Sequence, residues 1–210
     1  MQATNELPLR ERKRLETLKA LHCEAAGLAL DDGMDKVTVD AIASRANVST
    51  RTFFNYFASK EDAILGIREP HMDDEMVAEF RAATDQDLLA RVARLIFRVA
   101  MSSVVADSAH RREKLLKRFP ELAPRQTPHV MRIEELVRGV VTEHVAECPE
   151  WAAPRKQRAA ADIAMAIVML AGASMRMAVR QGITTKTPEQ QLVTIDDAVS
   201  LLREVTRNLL

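Results

Sequence analysis

Apolar residues recur along this chain at intervals of three and four, the repeat that gathers them on one face of an α-helix, and no β-rich block interrupts them. From Arg10, the residues Leu15, Leu18, Leu21, Ala25, Leu28 and Ala29 keep this repeat until Asp31-Asp32-Gly33 stops it, which predicts a first helix behind a frayed arm over 1–9. Residues 38–64 then read as three short helices, each opened by its own capping side chain. Thr38 precedes Val39, Ile42, Ala43 and Ala46; Ser49 precedes 50–57; and Ser59 with Asp62 has the spacing of a capping box. Only Asn47 and Val48 separate the first two, a reversal that needs one residue at positive φ, and Asn47 suits it. Val48, Ile42, Ala43, Phe53 and Phe57 would close a small core, which makes the segment a helix-turn-helix with a third helix packed on it.

The third helix is expected to run on from Ser59, with Pro70 marking its end or a kink before a segment over 72–83. Beyond it the pattern lengthens into amphipathic helices over 87–105, 107–119, 128–147, 154–181 and 188–210. Pro120, Pro124, Pro128, Pro149, Pro154 and Pro188 fall between them, where proline bounds helices without breaking them. The expected fold is all-α, of about nine helices: an N-terminal three-helix domain over 1–67 and a C-terminal helical bundle over 68–210.

What the second short helix leaves facing outward suits DNA. Thr50, Arg51, Thr52 and Asn55 present hydroxyl, guanidinium and amide groups of the kind that read base edges and phosphates, and Phe54 and Tyr56 can lie against thymine methyls and sugars. Lys60, in the first turn of the third helix, joins free backbone amides that favour a phosphate. The capping hydroxyls of Thr38 and Ser49 complete the DNA-facing set.

Those same residues resemble a known family. VTVDAIASRANVSTRTFFNYFASKEDAI looks like the signature of TetR-family transcriptional regulators, with Ile42, Ala43, Ala46, Val48, Ser49, Thr52, Phe57, Lys60 and Glu61 on matching positions. Asn47 stands where that family usually has Gly, Phe54 where it has Tyr, and Tyr56 where His or Tyr is usual. The resemblance implies a two-fold homodimer joined through its last two helices and a small-molecule effector, of unknown identity, held among the middle helices.

The chain's own pattern can be read that way. The segment 154–181 carries small residues, Ala164 and Gly172 among them, that allow close helix approach, and Ile195, Val199, Leu202 and Leu209 recur along the last helix as a bundle seam. These six are the expected dimer contacts; the same pattern would also serve each helix within its own domain. Flexible apolar residues in the middle helices, Phe97, Met101, Phe119, Met131, Met165 and Met169, with Trp151 in a connection, are the candidate effector contacts or plain core. Arg98, His110, His129, His144 and Arg176 lie near those stripes without spacing that marks any as a ligand.

Charge and composition adjust this picture in three places. The net charge is zero, and residues 1–68 hold as many acids as bases, so DNA affinity is expected to be modest and salt-sensitive. The local cluster Arg10, Arg12, Lys13 and Arg14 is either a basic head near the DNA backbone or a solvated helix start. Cys23 and Cys148 have no metal spacing and read as thiols in a reducing compartment, against a redox pair; no metal or cofactor is implied. The longest apolar run, 163–175, is short for a bilayer span, which points to a cytoplasmic protein with no membrane partner.

The function expected is sequence-specific binding of a palindromic double-stranded operator by a repressor that a small apolar effector releases. A helical adaptor with a vestigial DNA-binding head is the alternative. An all-helical enzyme is the weaker third reading, since the chain has no H-E-x-x-H, G-x-S-x-G or phosphate-cradling glycine loop.

Overall fold

A computed structural model describes residues 8–84, 87–148 and 158–209. Within them lie ten α-helices: α1 (Leu9–Asp32), α2 (Val39–Arg45), α3 (Thr50–Phe54), α4 (Lys60–Leu65), α5 (Asp74–Ala82), α6 (Leu88–Ser102), α7 (Ala109–Arg118), α8 (Gln126–Glu147), α9 (Ala160–Arg180) and α10 (Pro188–Leu209). The described residues hold no strand, only an isolated antiparallel bridge between Ile67 and Val104.

Several boundaries differ from expectation: the helix expected over 50–57 ends at Phe54, and the one expected over 87–105 ends at Ser102. The expected start of the penultimate helix at 154 falls outside the described residues, and α9 is helical from Ala160. The third helix does not run on. Gly66 takes φ 65°, its N–H bonding Ala63 O, while Ile67 N–H reaches back to Asp62 O at 3.0 Å, a left-handed cap that turns the chain out of α4 after six residues. Glycine is required twice over here, because a Cβ at this position would meet the His22 ring at 2.9 Å.

The chain forms two compact units. The first comprises the described residues up to Glu69 together with Ser103–His129; the second comprises Pro70–Ser102 and the described residues from Val130 onward. Residues 103–129, which the sequence assigned with the C-terminal bundle, therefore pack with the N-terminal helices. The reasons are specific. Arg68 N–H bonds Ser103 O at 2.7 Å and Val105 N–H bonds Gly66 O at 2.8 Å. Arg112 Nε donates to Leu65 O at 2.9 Å, and Arg118 Nη1 to Leu30 O at 2.7 Å, so guanidinium groups neutralise the free carbonyls at the ends of α4 and α1. Val105, Leu115 and Leu122 are buried in the same core as Leu21, Ile42, Phe53 and Ile64.

In the second unit, Val92, Leu95, Ile96 and Val99 of α6 meet Ala164, Val168, Ala171 and Met175 of α9, with Val137 and Val141 of α8 and Ile195 and Val199 of α10 in the same core. Burying each valine, leucine, isoleucine or methionine side chain among them contributes about 1.5–3 kcal/mol. Small residues on α9 let its neighbours approach closely: a Cβ added at Gly172 would lie 2.7 Å from Glu134 Oε1 of α8.

Candidate nucleic-acid interface

Three caps build the head. Thr38 Oγ1 accepts from Ala41 N–H at 3.1 Å, Ser49 Oγ from Thr52 N–H at 3.0 Å, and Ser59 Oγ from Asp62 N–H at 3.1 Å, so each short helix has one otherwise orphaned amide satisfied. Asn47 adopts φ 54° and reverses the chain between α2 and α3, closed by Val48 N–H on Ala43 O at 2.9 Å. Phe53 and Phe57 are buried with ring centroids 6.0 Å apart, and they fix which side of α3 looks outward.

On that outward side Thr50, Arg51, Phe54 and Asn55 are exposed, Phe54 by 58% with its ring edge-to-face on Phe53 at 5.4 Å. Thr52 and Tyr56 are half-buried. Thr52 Oγ1 is bonded to Ser49 Oγ at 2.8 Å, so both hydroxyls are shared with the cap. Arg51 pairs with no carboxylate among the described residues. Lys60 differs from expectation: half-buried, it donates Nζ to Val37 O at 2.8 Å, a strut between the α4 start and the segment before α2.

The basic start of α1 is partly neutralised. Arg14 lies 2.9 Å from Glu11, an arrangement that holds the Glu11 carboxyl below its usual range and raises Arg14, and Arg12 lies 3.8 Å from Glu16. Arg10 and Lys13 remain without ion pairs among the described residues. Arg45 pairs with Asp32 at 3.3 Å, tying α2 to the end of α1.

Behind α4 sits a residue the sequence reading did not single out. His22 is 2% exposed, with Nδ1 2.8 Å from Ala63 O, and burial lowers its pKa to about 4. It is therefore neutral, donating from Nδ1. Gly66, following the last apolar residue of α4, was the one local sign of the close approach on that side. Among the described residues no three His, Cys, Asp or Glu side chains converge as a metal site requires. Cys23 and Cys148 are free, half-buried thiols, and Cys23 Sγ accepts from Arg111 Nη1 at 3.0 Å.

Residues 24–65, from the middle of α1 through α4, match the family described as bacterial regulatory proteins, tetR family. Over 57 residues the chain is 46% identical to the HTH-type transcriptional regulator TcmR of Streptomyces glaucescens, covering 27% of this chain and 25% of TcmR. Residues 24–65 of this chain thus resemble the DNA-binding head of TetR-family regulators. The chain spans about a quarter of the length of the curated relative it matches. Thermus thermophilus FadR, a TetR-family transcriptional repressor crystallised in complex with lauroyl-CoA, aligns over 89% of this chain and 93% of its own, at 21% identity and a TM-score of 0.40.

The expected effector contacts do not converge. Phe97 lines a cavity of about 290 Å³ in the second unit, between α5, α6 and the start of α10. Met101, Met131, Met165 and Met169 are exposed, Phe119 packs in the core of the first unit, and Trp151 lies outside the described residues. The expected dimer contacts are also redistributed. Ala164, Gly172, Ile195 and Val199 are buried inside their own unit and Leu202 is half-buried; only Leu209 is well exposed. The outward faces of α9 and α10 carry other apolar residues: Met165, Met169, Leu170 and Val179 on α9, and Val193, Leu201 and Val205 on α10.

Proposed function

We propose that the chain is a sequence-specific DNA-binding transcriptional regulator, acting as a homodimeric repressor that a small molecule with an apolar body releases from its operator. The observation that carries the DNA reading is the outward face of α3. Arg51, Asn55, Thr50 and Phe54 stand exposed on a five-residue helix whose other side is locked by Phe53 and Phe57, and guanidinium, amide and hydroxyl groups on a rigid short helix are what a major groove accepts.

One such helix buries too little surface to be specific, and two held about 34 Å apart would read a palindrome. The outward faces of α9 and α10 support the pairing. The most apolar stretch of α9 has a mean hydropathy of 1.6 with only 39% of it buried, and by length and composition that helix is able to cross a bilayer. Its inner face, however, is part of a protein core with α6. A second copy in a four-helix arrangement covers Met165, Met169, Val193 and Leu201 without lipid, consistent with a cytoplasmic protein. The effector acts by binding more tightly to a protomer arrangement whose head spacing no longer matches successive grooves, and its leverage is that difference in affinity.

The test is a gel shift on DNA flanking the protein's own coding region. Binding at low salt that is weakened by Arg51→Ala with the circular dichroism unchanged supports the reading; no binding of any fragment at low salt refutes it. Binding elsewhere in the cell with Arg51→Ala silent would instead describe a helical adaptor that keeps the head as scaffold.

A further inference from the structure

The cavity between α5, α6 and α10 carries an electrostatic imbalance. Its apolar wall includes Met76, Phe80, Leu95, Phe97 and Leu192, and its charged lining is Arg91, Arg94 and Arg98 against the single carboxylate of Glu79. Two of the three guanidiniums are matched: Arg98 pairs with Glu79, and Arg94 Nη2 lies 2.8 and 2.6 Å from the two carboxylate oxygens of Asp196. Arg91 is not. It is 7% exposed, and among the described residues no carboxylate pairs with it.

What holds Arg91 is neutral. Nε and Nη2 donate to Phe80 O at 3.0 and 2.5 Å, and the guanidinium carbon stands 4.6 Å over the Phe80 ring. Asp87, the nearest acid in sequence, caps the start of α6 through Ala90 N–H and pairs with Arg203. A buried cation held by one carbonyl and a ring, with no carboxylate paired to it among the described residues, is costly, and an anion entering the cavity relieves that cost. The same uncompensated charge reaches His144, whose imidazole is held below its usual range by burial first and by Arg91 second.

We propose that this cavity binds a small organic anion, a carboxylate carried on an apolar body, with its head on Arg91 and its body against Leu95, Phe97 and Leu192. A fork of guanidinium donors takes a carboxylate in plane, and a volume of about 290 Å³ holds one compact body beside it. The inference deepens the effector reading above and rests on that reading for any consequence at the operator; the site itself rests on Arg91.

The test is calorimetric titration of the full-length protein with octanoate and with 3-phenylpropanoate, each beside its alcohol, octanol or 3-phenylpropanol. At least one acid is expected to bind about tenfold or more tightly than its alcohol, the margin of a charge-assisted pair. Arg91→Met is expected to remove that margin while leaving alcohol binding. Because Arg91 also ties Phe80 O, a second variant leaves it untouched: Leu192→Trp fills the cavity from α10 and is expected to abolish binding of acid and alcohol alike. Equal binding of acid and alcohol, no binding of either acid, or undiminished acid binding by Leu192→Trp overturns the proposal. A gel shift separates it from the regulator reading. Octanoate or 3-phenylpropanoate binding that leaves DNA affinity unchanged sustains the site and removes its role as effector site, whereas DNA binding without acid binding keeps the regulator and removes the site.

Discussion

Acidification should destabilise the head of this protein through one histidine. His22 is sealed between α1 and α4, 2% exposed, bonded through Nδ1 to Ala63 O and backed by Gly66, with Arg111 and Arg112 adding positive charge nearby. Its folded pKa is about 4, against about 6.5 for a histidine in an unfolded chain. Between those values the unfolded chain binds the proton and the folded one does not, so stability rises with pH through that window. The contribution is fully present above pH 6.5 and is lost as pH falls through 4. Since one pKa unit is about 1.4 kcal/mol, the whole span is about 3 kcal/mol, of which about 2 kcal/mol disappears between pH 7.5 and pH 5. Urea unfolding followed by circular dichroism at pH 7.5, 6.5, 5.5 and 5.0 measures it. His22→Asn serves as the reference, because its amide keeps a donor for Ala63 O and cannot titrate. The wild type is expected to lose about 2 kcal/mol more than His22→Asn over that range. Parallel pH profiles for the two proteins, or a His22 ring proton titrating near 6.5 by NMR in the folded chain, would refute the reasoning.

Gly66→Ala is expected to lower the urea stability of the head by at least about 1–2 kcal/mol, since it forces a side chain into left-handed backbone and against the His22 ring; an unchanged midpoint counts against the role given to that cap. Arg51→Ala should weaken operator binding and reduce the slope of log affinity against log salt if it contacts a phosphate, or relax preference at one base pair by about 1–3 kcal/mol if it reads a base edge, as footprinting at several salt concentrations will distinguish. Met169→Glu, on the outward face of α9, should convert a dimer to a monomer in sedimentation with the fold intact. Ile195→Ala, at 1% exposure, should do the reverse, lowering stability by about 2–5 kcal/mol while leaving association in place at temperatures where the fold survives.

The sequence alone determined what depends on residues within four positions of one another. The capping hydroxyls of Thr38, Ser49 and Ser59 and the positive φ of Asn47 are local chemistry, so the helix-turn-helix and its polar outward face were legible almost residue by residue. The stop at Gly66 was local too, a glycine after an apolar run, yet the expectation of a continuing helix passed over it. Only the tertiary structure decided which apolar stripe meets which. On α9 both faces are apolar, so periodicity cannot say that Ala164 and Gly172 look inward and Met165 and Met169 outward; that follows from α6 and α8 occupying one side. The same holds for α10, where Ile195 and Val199 are consumed by the protomer's own core. Residues 103–129 join the head because Arg112 and Arg118 find the carbonyls of Leu65 and Leu30, partners 47 and 88 positions away that no window along the chain connects. Lys60 on Val37 O and Arg91 on Phe80 O belong to the same class. A long cation's partner is set by where the fold brings an unsatisfied oxygen, and that is a property of the folded chain in three dimensions.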